Sequence, residues 1–225
     1  MAKVIGLQFP VFALLIFGIL YYPSINSWLP RYGLAKFFTS PQMFFLLSSL
    51  FIIWIRKLAL REIGITKINF FSQIRLGIFL GLAPALLVFV LSTILTAFDH
   101  FYPFLPRPIF GGPPLNTEVT FSYLSTLLFL APLSEELFFR GILFKALQED
   151  YSPILCVLFS SLIFMAGHGH MMVGPLVLGL INAIVTFRSK SIAAPILFHS
   201  IANSYALILI IWFPNLYRYL SFLYE

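Results

Sequence analysis

The stretch Ser134-Glu135-Glu136-Leu137-Phe138-Phe139-Arg140-Gly141 places three ionisable side chains inside an otherwise apolar helical run. A charge at the centre of a bilayer costs roughly 2.5–3.5 kcal/mol on insertion scales, so ionisable residues at that depth are rare and tend to be functional. Only 8 of the 225 residues are Asp or Glu, and two of them are adjacent here. His168, His199 and Asn203 also fall inside apolar runs. Two carboxylates, a guanidinium, two imidazoles and an amide set at membrane depth point to proton chemistry.

The rest of the chain supplies the membrane. Hydrophobic residues make up 60% of it, charged residues 10%, and the mean hydropathy is +0.96, well outside the range of soluble domains. Residues 1–225 read as a single membrane-embedded domain. The net charge of +6 does not indicate nucleic acid, because the basic residues are scattered over loops between apolar runs. They suit anionic lipid headgroups and orientation signals, so the bilayer is the expected partner. The single cysteine, Cys156, excludes an intrachain disulfide and a cysteine-based zinc cluster. Lys3 and the apolar stretch after it resemble a signal peptide, but no small-residue cleavage site follows, and an uncleaved first span is expected.

A transmembrane helix needs about 20 mostly apolar residues. Spans are predicted at roughly 4–22, 41–56, 75–98, 119–147, 153–170, 173–187 and 191–213. Residues 57–74 mix basic and apolar positions and read as an amphipathic interfacial segment. Residues 99–118, rich in proline and glycine, read as a stiff loop. The aromatic tail 214–225 either lies at the interface or forms a short eighth helix. The expected fold is therefore all-α, a polytopic transmembrane bundle of about seven spans, or eight with the tail. The 27 phenylalanines are expected to be lipid-facing packing.

Lysine and arginine give the orientation. Nine of them fall on the side of the amino terminus and four on the other, with Arg140 set aside as intramembrane, which places the amino terminus in the cytoplasm. At about 1.5 Å per residue, Glu135 then lies roughly 18 Å deep, His168 about 22 Å, and His199 and Asn203 about 12 and 18 Å. Three helices thus bring polar groups to a similar depth.

Glu136 and Arg140 are spaced i, i+4 with the acid first, the favourable order for a helical ion pair, and should hold each other. Glu135 sits about 100° further round the helix and is left without a dedicated cation, free to take a proton from water. Pro132, one turn earlier, frees a backbone carbonyl and opens the helix locally. His199 and Asn203 are also i, i+4, so both should reach one spot and donate to a developing oxyanion. His168, flanked by glycines that allow close helix approach, is placed to share the water with Glu135.

Other chemistries draw on the same residues. Glu135, His168, His170 and His199 could form a carboxylate–imidazole metal site. Against it, no His-Glu-x-x-His is present, and His168 and His170 are too close in register to share a helix face. Ser134, Ser200 and Ser204 lack a Gly-x-Ser-x-Gly elbow, and serine is common at helix contacts in membranes. A proton-relay transporter would use the same carboxylates.

Three motifs in order resemble the CPBP family (CAAX proteases and bacteriocin-processing enzymes, also called Abi proteins). They are EExxxR at Glu135–Arg140, FxxxH at Phe164–His168 and HxxxN at His199–Asn203. The run SKSIAAPILFHSIANS at 189–204 and the basic stretch around Ile63-Gly64-Ile65 add to the likeness, and 119–204 holds the motif core. The resemblance implies a metal-independent, cofactor-free intramembrane glutamic endopeptidase, related to the Ras-converting CAAX endopeptidase. Carried over by position, Glu135 with His168 would activate water and His199 with Asn203 would hold the oxyanion. Glu136 and Arg140 would support the site, and the role of His170 stays open. The implied substrate is a membrane-associated protein or peptide, cut without an acyl-enzyme. Some members of the family act as non-proteolytic membrane scaffolds, which is the alternative. The compact, positive-inside chain points to a prokaryotic cytoplasmic membrane.

Overall fold

The computed structural model describes residues 4–21, 40–67, 69–101, 121–168, 173–212, 214 and 217. Within them the chain forms seven helices and no strand. They are α1 (Gln8–Leu20), α2 (Pro41–Arg56), α3 (Phe70–Phe101), α4 (121–147), α5 (Pro153–Ala166), α6 (Val173–Ser189) and α7 (Ala193–Trp212). Each falls on one of the expected apolar runs, and α3 extends beyond its run at both ends. Among the described residues only α7 is long and apolar enough to cross a membrane by itself. The helices α1, α2, α5 and α6 are apolar but shorter, as is the first part of α3, Phe70–Pro84. Most of the proline-rich loop, and the tail apart from residues 214 and 217, lie outside the described residues.

Local sequence sets the helix ends. Ser40 accepts the Met43 N–H at 3.3 Å and Pro41 opens α2, a side-chain cap followed by proline in the first turn. Lys57, at φ 52°, ends it. Residues 57–67 are turns rather than a surface helix, and they reach inward. Ile63 is fully buried, and Gly64, at φ +82°, accepts the Ile192 N–H at 3.1 Å just ahead of α7. The expected interfacial segment is thus partly a plug beneath α4 and α7.

The link between α6 and α7 is short. Lys190 takes φ 58°, and the Ser191 hydroxyl accepts the Ala193 N–H at 3.2 Å. Residues equally far from this link on the two helices must therefore meet at about the same depth, since both rise about 1.5 Å per residue.

The core corrects the expectation for phenylalanine. Phe45, Phe138, Phe139, Phe144 and Phe164 are buried, with ring centroids of Phe45–Phe138, Phe45–Phe139 and Phe139–Phe164 at 5.0, 5.1 and 5.1 Å. A helix covered on several sides has no lipid-facing stripe at those positions, so its aromatics become core.

Helices α3 and α7 approach each other closely at two glycines. A Cβ on Gly77 would lie 2.9 Å from the Ala194 carbonyl oxygen, and one on Gly81 only 2.6 Å from Ile201 Cγ2. The pair forms a Gly-x-x-x-Gly face of the kind that lets membrane helices touch. A Cβ on Gly167, by contrast, would lie 3.3 Å from the Phe164 carbonyl of its own turn and 3.9 Å from the Phe139 ring of α4, an ordinary contact with a side chain and not a close approach of two backbones. Gly77→Val should lower the unfolding free energy by about 1–3 kcal/mol through overpacking. Thermal melting of the purified chain in detergent reads this, and an unchanged melting point would mean that α3 and α7 are not so closely packed.

Candidate active site

The helix α4 changes register twice around its two glutamates. It runs as Phe121–Ser125, a π-helical stretch Thr126–Leu130, α-helix Ala131–Glu136, a second π-helical stretch Leu137–Leu143, and Phe144–Leu147. Such stretches are rare and often mark functional sites. In the first, the Ala131 N–H reaches back five residues to the Thr126 carbonyl. The next step of that ladder would bring the N–H of residue 132 to the Leu127 carbonyl, but Pro132 has none. The Asn203 amide supplies the missing donor at 2.9 Å.

Glu136 is the fixed carboxylate, fully buried with Arg140 and Asn182. Its Oε2 lies 3.2 Å from Arg140 Nε, an ion-pair contact without hydrogen-bond alignment. Its Oε1 accepts from Asn182 Nδ2 at 2.9 Å and meets His199 Nδ1, also at 2.9 Å. Arg140 donates from Nη2 to the Gly179 carbonyl at 3.1 Å and lies 4.4 Å above the Phe164 ring. The expected Glu136–Arg140 pair is present, with α6 gripping both of its members.

Glu135 is placed differently. Its Oε2 is buried without a hydrogen-bond partner and lies 3.9 Å from His199 Nε2, too far for a direct bond. One imidazole thus stands between two carboxylates, bonded to one and turned towards the other. An ionised Glu136 only accepts, so Nδ1 carries the proton in that contact, and Nε2 faces Glu135.

His168 is exposed at the end of α5. Its Nδ1 engages the Phe164 carbonyl at 2.9 Å, and its ring lies 4.7 Å from the Phe164 ring. The His199 ring also meets Phe164, with ring centroids 5.8 Å apart. Phe164 is therefore the common neighbour of His168, His199 and Arg140. His170 lies outside the described residues, and among the described ones no three His, Cys, Asp or Glu side chains gather as a metal site would need.

Two expectations differ from this arrangement. His199 and Asn203 share a helix but not a target, because the carboxylates hold one and the Leu127 carbonyl holds the other. The polar cluster also draws on α6, which sequence reasoning left out. Asn182 is eight residues before Lys190 and His199 nine after it, so an antiparallel hairpin brings them level. That spacing was the available signal for Asn182, a lone amide in an apolar run.

Compared with known protein families, residues 116–205 match the family described as Rce1-like, type II CAAX prenyl endopeptidase Rce1-like. The matched segment holds all three motifs and bears out the resemblance read from them. No curated protein and no solved structure matches the chain.

Proposed function

We propose that the chain is an intramembrane endopeptidase in which Glu135 activates water against a peptide bond of a membrane-associated protein or peptide. The observation that carries this is the contrast between the two adjacent glutamates. Glu136 is tied to Arg140, Asn182 and His199, while the neighbouring carboxylate keeps an oxygen free beside His199 Nε2. A purely structural ion pair has no use for the second acid. The match to a family of CAAX prenyl endopeptidases supports the same reading.

The bilayer is part of the proposal. Phe12, Trp54, Phe79, Ile154, Val177 and Trp212, on six different helices, all point outward. Soluble proteins rarely expose apolar surface on that scale. The bundle accordingly sits in lipid as a polytopic protein, with its amino terminus in the cytoplasm as the positive residues indicate.

The steps follow from the atoms. Water attacks the scissile carbonyl carbon as its proton passes to Glu135. The oxygen that becomes negative lies towards α7. An Asn amide carries two N–H bonds, so Asn203 can keep one on Leu127 and offer the other. His168, with Nδ1 donating to the Phe164 carbonyl, presents a bare Nε2 from the exposed end of α5, which accepts a hydrogen bond from the same water and orients it. The proton on Glu135 then moves to the leaving amine, which breaks the C–N bond.

The deciding experiment compares peptide termini in membranes from cells carrying the native chain or Glu135→Gln at matched expression. Termini lost in the variant establish proteolysis and give the cleavage junction. Identical termini would leave a scaffold on the same fold.

A further inference from the structure

Asn182 belongs to none of the three motifs, yet its amide shares Glu136 Oε1 with His199. We propose that Asn182 is a positioning residue, which fixes the plane of the Glu136 carboxylate so that His199 stays bonded through Nδ1 and keeps Nε2 turned towards Glu135. This rests on the proteolytic reading of the site.

The geometry supports it in three ways. Held by Arg140 through Oε2 alone, the Glu136 carboxylate could rotate about its last bond and carry His199 with it. A second contact at Oε1, from a different helix, removes that freedom. The contact is also neutral, so it orients the acid without competing for its charge, which Arg140 needs. Finally, Asn182 Oδ1 is buried and has no hydrogen-bond partner. Leucine would fill nearly the same space without leaving a buried acceptor unmade. A residue that served packing alone would be better as leucine, whereas the donor to Glu136 is what only the amide provides. Gly179, three residues earlier on the same face, accepts from Arg140, so one surface of α6 holds both ends of the ion pair.

The test uses the full chain in proteoliposomes and a peptide spanning the junction found by the terminus comparison. Asn182→Leu should lower kcat roughly tenfold, the scale of one lost hydrogen bond to a charged group, with KM within about twofold. The melting point is read alongside it. A native kcat in this variant, or a raised KM with kcat unchanged, would overturn the inference. Should Asn182→Leu fail to fold, Asn182→Ser, too short to reach Glu136, is judged by the same split. Glu135→Gln is run in parallel. If it is inactive while Asn182→Leu turns over like the native chain, the inference alone falls. If Glu135→Gln turns over the peptide like the native chain, Glu135 is not the base, and the proposed mechanism and the inference fall together.

Discussion

Arg140→Met is expected to lower the unfolding free energy by about 3–5 kcal/mol, the usual result of removing one partner from a buried ion pair. The guanidinium is completely enclosed and answers three neighbours: Glu136 at 3.2 Å, the Gly179 carbonyl at 3.1 Å and the Phe164 face at 4.4 Å. Methionine fills much of the volume but leaves a buried carboxylate with no cation and a buried carbonyl with no donor. The double variant Arg140→Met/Glu136→Leu should recover part of the loss, because an apolar pair of similar size often replaces a buried ion pair at little cost. Thermal melting in detergent of both variants checks this. A double variant worse than the single one would mean that Glu136 is stabilised mainly from α6 and α7.

The second large effect separates neighbouring acids. Glu135→Gln is expected to lower kcat by about 10²–10⁴, the range of general acid–base catalysis. Its melting point should stay close to that of the native chain, since the Oε2 it alters has no bonded partner to lose. Glu136→Gln should lower both. It removes the charge that Arg140 answers, and with the amide oxygen kept on His199 Nδ1 and Asn182 Nδ2 the new NH2 meets Arg140 Nε donor against donor. Turnover of the junction peptide and melting, measured on the same preparations, give the comparison. Equal melting losses for the two variants would contradict the division of labour between them.

The positions of all seven helices were legible, because each apolar run is bounded by turn residues such as Ser40-Pro41, Ser152-Pro153 and Ser189-Lys190-Ser191. The Glu136–Arg140 pair was legible too, from its i, i+4 spacing. The fate of the side chains on other helices was not. Spacing puts His199 and Asn203 on one face, but what each meets depends on what α4 offers there. It offers a carboxylate to one and an unpaired carbonyl to the other. That carbonyl exists because a register change and Pro132 coincide, and no periodicity announces a π-helical turn. The buried phenylalanines were misassigned for a related reason: α4 is apolar all round outside its few polar residues, so its sequence does not tell an outward face from the face that meets α2. Asn182 was within reach, since counting outward from the α6–α7 link sets it level with His199.

The two π-helical stretches give α4 an unusual sensitivity to length. Each accommodates about one extra residue without a loop to absorb it. Taking a single residue out of 137–143 would let the stretch return to ordinary helix with Glu135 and Glu136 aimed much as before, whereas adding one more would turn both acids by about 100° against everything that follows. Both acids would then face away from α6 and α7 with no side chain altered. Along this helix the aim of the site is set by how many residues there are, as much as by which ones they are.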